Sequence, residues 1–287
     1  MNKSVAVGIN PPLLGILAFG VIITWRPMAH ALTILMHEQL TGPVRVALSI
    51  LVGAFGVWLM WKGFKRDETT ASLMGILAGS LIWTGWAEEA FNGFGAILQV
   101  EPLMWNGHPL FNAGLQMIEA SVVPMLIVLI LLGANKDTQC RMFLWFHRNL
   151  RITPGKRTAG YQRQISRVTT IEYIFVVWFF YVFNIIIFDP RVLGPDSTVT
   201  MLLLAAVFLW GCWLLWKLTQ LRSSGAALRY AIPTVGCWWV LTESAAAMGL
   251  ITEVWVRPRE YPLIMSICGA ICIALWFVYY RGRRENT

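Results

Sequence analysis

The chain has 287 residues, of which 57% are hydrophobic and only 13% charged, about half the charged share of an ordinary soluble domain. With a mean hydropathy of +0.60, it is too apolar for a soluble globule whose surface must stay wet, and a disordered chain, a collagen and a secreted disulfide scaffold are excluded with it. The net charge of +8 would suggest nucleic acid as a partner, unless the charges lie where a membrane protein needs them.

A helix needs roughly 20 mainly apolar residues to cross about 30 Å of hydrocarbon. Eight stretches meet that need, at about 13–36, 44–64, 71–95, 112–134, 169–188, 199–220, 228–251 and 261–280. They predict an all-α polytopic membrane protein. Arg26 and Pro27 interrupt the first stretch, which predicts a kinked helix. No small-residue cleavage site follows it, so it reads as a span and not as a removed signal peptide.

Lys and Arg positions agree with eight spans. With the N-terminus inside, 18 of the 23 basic residues fall on the cytoplasmic side, four fall outside, and Arg26 lies within a span. That bias predicts cytoplasmic termini in a cell membrane, of the bacterial inner-membrane kind. The connection 135–168 holds eight Lys or Arg against one acid, Asp137. Nucleic acid is therefore not needed to explain the charge. The loop reads either as a topology determinant or as a docking surface for a cytoplasmic protein or anionic lipid headgroups, with Arg148, Arg151, Lys156 and Arg157 as contacts and 142–150 as a short amphipathic helix along the interface.

An internal repeat is legible. The heptapeptides GVWLMWK (56–62) and GCWLLWK (211–217) are 155 residues apart, and at that offset 13 of 47 positions between 44–90 and 199–245 are identical. Glu88 falls on Glu243 and Trp83 on Trp238. Four spans is an even number, so the two halves, 1–134 and 169–287, enter the membrane in the same sense as a parallel 4+4 duplication about an axis near the membrane normal. Their interface is the natural place for a site.

Ionisable side chains within spans are costly and mark candidate sites. Glu88 and Glu89 lie in the third stretch, Glu119 in the fourth and Glu243 in the seventh, all in the outer half. Thr84, Glu88 and Asn92 share one helical face by their spacing, and Asn112, Gln116 and Glu119 share another. Arg26, at similar depth, is the available counter-ion. Glu88, Glu119, Glu243 and Arg26 thus form a candidate proton or cation site; the alternative is interhelical hydrogen bonding or placement at the interface.

His30 and His37 share a face of the first span, and His108 follows the third, so His37, His108 and Glu89 form a candidate metal site. Their spacing matches no recognised ligand pattern, and the alternative is interfacial hydrogen bonding. Cys140 lies in the basic loop and the other four cysteines in spans, so no outer disulfide is expected. Trp58, Trp61, Trp213 and Trp216 sit where an aromatic belt belongs, whereas Trp83, Trp86, Trp238 and Trp239 come just before the glutamates. No nucleotide-binding, hydrolase or zinc-protease motif is present, and no cofactor is implied.

Three functions fit these residues. The first is a permease or channel-like protein moving a small solute, ion or proton through a carboxylate-lined site between the repeats. The second is the membrane subunit of a redox or metal-dependent enzyme; the third is a non-catalytic anchor or assembly subunit. Assembly into an oligomer is compatible with all three.

Overall fold

The computed structural model describes residues 9–111, 113–138 and 141–282. The fold is helical: α1 (Leu13–Gln39), α2 (Gly42–Lys62), α3 (Glu68–Ile82), a π-helical turn (Trp83–Glu88), α4 (Glu89–Ile97), α5 (Ala113–Gln116), α6 (Val122–Gly133), α7 (Arg141–Asn149), α8 (Ile165–Phe188), α9 (Thr198–Leu218), α10 (Ser224–Ala247) and α11 (Pro262–Arg281). A hairpin of two short strands, β1 (Met104–Trp105) and β2 (His108–Pro109), follows α4.

Local chemistry sets the helix ends. Asp67 caps α3 by accepting from the Thr70 amide at 2.9 Å, and Ser197 and Ser223 cap α9 and α10. Prolines occupy the first turns of α2 and α11, where an amide has no helical partner to lose. Lys62, Lys217 and Arg281 stand in the last turns of α2, α9 and α11, beside unpaired carbonyls.

Among the described residues, six helical stretches are long and apolar enough to cross a membrane: α1, 42–65, 68–97, α8, α9 and α11. That fits an integral membrane protein. The two remaining stretches of the eight differ from expectation for separate reasons. The seventh is a 24-residue helix, α10, but Arg229, Thr234, Thr242, Glu243 and Ser244 make it more polar. Thr234 and Ser244 are buried against protein, which replaces the lipid an outer helix would meet. The fourth is broken into α5, a 3₁₀ turn (Glu119–Ser121) and the 12-residue α6. Pro124 fits at the start of α6, where no i−4 partner is required. The first helix runs continuously through Pro27.

The helices form an inner and an outer set. Helices α1, α3, α8 and α10 carry most of the buried residues, and α3 packs on both α8 and α10 while α10 also packs on α1. In the apolar windows of 68–97 and α8, 61% and 50% of residues are buried, against 17% in α2 and in α11. The outer helices show their apolar residues to the surroundings, among them Leu51, Leu202, Leu209, Leu263 and Ile273. Lys62 lies over the Trp58 ring and Lys217 over Trp216 at the same end of α2 and α9.

Small residues permit a close inner contact. Gly75 and Gly79, one turn apart on α3, face α8 so closely that a Cβ on Gly75 would meet the Ser166 carbonyl at 2.7 Å and one on Gly79 would meet Tyr173 at 2.9 Å. The Thr170 hydroxyl of α8 donates to the Gly75 carbonyl at 3.2 Å. Leucine at Gly79 must push α8 away, lowering stability by about 1–3 kcal/mol as overpacked cores do. Thermal unfolding of G79L in detergent should begin at lower temperature, whereas G93A, where a Cβ meets nothing within 4 Å, should unfold like the parent. Equal midpoints for G79L and the parent would show that this approach does not hold the fold together.

Candidate functional site

Each inner helix sends a polar or aromatic side chain to one point in the bundle. From α1 come Arg26 and His30, from the π turn Glu88, from α8 Tyr173, Tyr181 and Asn184, and from α10 Trp239 and Glu243. The Arg26 guanidinium is buried between aromatic faces, 5.2 Å from the Trp239 ring centre and 5.9 Å from that of Tyr181. No carboxylate lies within 4 Å of it, so Glu88 and Glu243 stand across the cluster and not in direct contact.

Glu243 is the best-anchored member. Trp239 Nε1 donates to its Oε1 at 2.6 Å, and Asn184 Nδ2 donates to Oε2 at 3.4 Å. Asn184 is itself held by the Ser244 hydroxyl at 3.1 Å. His30 Nε2 lies 3.6 Å from Glu243 Oε1 and 2.6 Å from the Tyr181 hydroxyl, in a hydrogen bond whose direction depends on the His30 tautomer. Its ring stacks on Trp239, while Trp83 stacks on Tyr181. Arg26, His30, Ser80, Thr84 and Glu88 help to line a cavity of about 10 Å³, close to the room that one water needs. Trp83 also lines it, and its Nε1 has no hydrogen-bond partner.

Adjacent glutamates at the end of the π turn serve different places, as neighbours about 100° apart on a helix do. Such turns carry one extra residue and recur at functional sites. Glu88 is buried beside the cluster, whereas Glu89 turns to the helix ends. There its Oε2 is 2.7 Å from His37 Nε2 and its Oε1 is 2.8 Å from Arg45 Nε. The turn is packed against α2: the Trp86 indole donates to the Ile50 carbonyl at 3.1 Å and covers Gly53.

The sequence candidates are therefore distributed. Arg26, Glu88 and Glu243 come together. Glu119 does not join them: it is 3.2 Å from Arg191, whose guanidinium also grips the buried Asp189 at 2.6 Å. The face proposed for Thr84, Glu88 and Asn92 divides at the wide turn, leaving Thr84 and Glu88 inside and Asn92 against Gly114 of α5. Asn112 and the His108 side chain lie outside the described residues. His37 and Glu89 do meet, but Arg45 is their third member, and among the described residues no three His, Cys, Asp or Glu side chains converge as metal ligands. Arg148, Arg151, Lys156 and Arg157 are exposed in the loop around and after α7, apart from the cluster.

Sequence reasoning missed Tyr181, Tyr173 and Asn184 as site residues. A signal for Tyr181 was present: it stands 155 residues after Arg26, the spacing that relates Glu88 to Glu243. Compared with protein-family models, curated proteins and solved structures, the chain matches none.

Two tests follow from this geometry. Glutamine at Glu243 keeps an oxygen for the Trp239 N–H, but leucine orphans it, so E243L should lose about 1–3 kcal/mol of stability and E243Q much less; equal unfolding midpoints for the two would show that the bond is not structural. At the helix end, the Arg191 side chain holds the Asp189 carboxyl below its usual range through hydrogen bonds. A depressed carboxyl stabilises above its unfolded pKa, and the effect is lost only as pH falls through the folded value. The Arg191 amide, which donates to Asp189 Oδ1 at 2.8 Å, should stay protected from hydrogen exchange through the ordinary aspartate range and open only below it. Opening within that range would contradict the clamp.

Proposed function

We propose that this chain is an integral membrane permease in which two parallel repeats of four helices enclose a site for a proton or small cation, with Arg26, Glu88 and Glu243 at its centre. The observation that carries this reading is the convergence of ionisable side chains from α1, the π turn and α10 on one buried point. Support for the repeat comes from exchanged packing: α1 of the first half packs on α10, and α8, its counterpart at the 155-residue offset, packs on α3. Under that offset Arg26 corresponds to Tyr181 and Glu88 to Glu243, so the cluster is composed of paired positions around an axis between α3 and α10.

Charge balance supplies the mechanism. Two carboxylates and one guanidinium leave one negative charge in surroundings that penalise it. A proton or cation taken up at Glu88 or Glu243 makes the cluster neutral. His30 and the Tyr181 hydroxyl extend a hydrogen-bonding path from Glu243, and the wide turn at Glu88 gives one wall a means of changing register. Occupation of the site would thereby be coupled to the contact between the halves.

The purified chain in sealed vesicles containing a pH-sensitive dye, under an imposed proton or potassium gradient, should dissipate the gradient faster than protein-free vesicles. E243Q and E88Q, folded but without the exchangeable charge, should fall to the protein-free rate. Unchanged flux in both variants, or none in the parent, overturns transport and leaves the cluster as interhelical hydrogen bonding.

A further inference from the structure

The segment between α6 and α8 carries a second feature, independent of the central cluster and of any transport. Helix α7 is fastened to the end of α6: His147 Nε2 donates to the Gly133 carbonyl at 2.6 Å, and the Phe143 ring packs over Gly133. Gly133 is the last residue of the apolar α6, and Ile165 opens the 24-residue apolar α8. The segment is therefore fixed at the level where hydrocarbon-facing helices end.

Its outward face is of two kinds. Trp145 and Phe146, in edge-to-face contact, are 52% and 39% exposed, and Leu150 and Ile152 follow them outward. Arg148, Arg151, Lys156 and Arg157 are exposed beside and after these residues. Among the loop's described cations only Arg163 has a carboxylate within 4 Å, that of Glu172. The loop's one acid is already engaged, since Asp137 accepts from the Thr158 amide at 2.7 Å and from its hydroxyl at 2.8 Å. Those bonds close the segment 137–158 into a loop without using a cation.

We infer that α7 and the loop after it form a binding surface for anionic phospholipid headgroups, with Trp145 and Phe146 seated at the acyl boundary and Arg148, Arg151, Lys156 and Arg157 meeting the phosphates. The combination of exposed aromatic side chains and cations on a short amphipathic helix is that of an interfacial element. Fixing at the end of α6 favours lipid over a soluble acidic protein. A protein partner would not require the apolar side chains to sit at the hydrocarbon boundary, whereas a leaflet does. The cations outnumber their internal partners, and a negatively charged leaflet supplies the complement within a Debye length.

The test uses the full chain in detergent, with phosphatidylglycerol or phosphatidylcholine added and retained lipids counted by native mass spectrometry. The parent should retain phosphatidylglycerol in preference, and rising salt should weaken that preference. Replacing Arg148, Arg151, Lys156 and Arg157 together by glutamine should weaken phosphatidylglycerol retention at least about tenfold, since each cation near an anionic surface contributes appreciably. W145S, which keeps every charge, should lower retention of both lipids, and the salt series on the unaltered parent remains decisive if a variant misfolds. Equal retention of the two lipids by the parent, or a preference insensitive to salt, overturns the proposal. So does an undiminished preference in the folded four-site variant. Binding of soluble polyglutamate without a lipid preference would overturn it too, assigning the surface to an acidic protein.

Discussion

A guanidinium buried among helices is the constraint around which the inner bundle is arranged. Removing it from water costs several kcal/mol even after relaxation. Contacts with the Trp239 and Tyr181 faces return about 0.5–2 kcal/mol each, so the aromatic sandwich alone falls short. Glu88 lines the same small cavity as Arg26, and Glu243 stands beside His30 on a different helix, so two carboxyl groups face the guanidinium across the cluster. Glu243 takes donors of its own, Trp239 and Asn184, and Asn184 in turn is held by Ser244. One residue on α1 thus specifies polar positions on three other elements, a level of definition that apolar packing in lipid does not provide.

The polar contacts elsewhere are placed differently. At the ends of the helices they are local clamps: Arg229 with Glu68 and Ser72 where α3 and α10 begin, Arg191 with Asp189 after α8, and Arg259 with Glu38 between α1 and α11. Several of these side chains are largely exposed, so water and counter-ions share the charge and each pair stabilises little. Between the two ends, helices approach closely at small residues, among them Gly75, Gly79 and Gly236. The bundle is therefore fastened by shape along its length and given its register by charge at one buried level.

Legibility in the sequence followed the range of the forces involved. Lipid-facing helices such as α2, α9 and α11 were readable because hydropathy is a local property and nearly every residue reports it. Helix α10 was readable by length, and Glu243 by its cost, but not Tyr181 or Asn184, whose importance arises only from what α1 and α10 bring opposite them. The break within 112–134 was hidden because Asn112, Gln116 and Glu119 are spaced as on one face of an unbroken helix. The π turn was invisible for another reason: no residue spacing within Trp83–Glu88 marks it, and the extra residue is accommodated by Gly85 and Trp86 against Ser49, Ile50 and Gly53 of a neighbouring helix.

That turn also changes what an alignment of such chains must preserve. In an ordinary helix each residue advances the face by about 100°, so identity at a position fixes direction. Beyond a turn with one extra residue, direction depends on how many residues preceded it. Glu88 and Glu89 are chemically the same, and only the count through Trp83–Glu88 assigns one to Arg26's neighbourhood and the other to His37 and Arg45. A single deletion there would leave every acidic residue in the chain and yet turn the residues on one side of it to new faces relative to those on the other: length, as much as composition, is inherited information at this site.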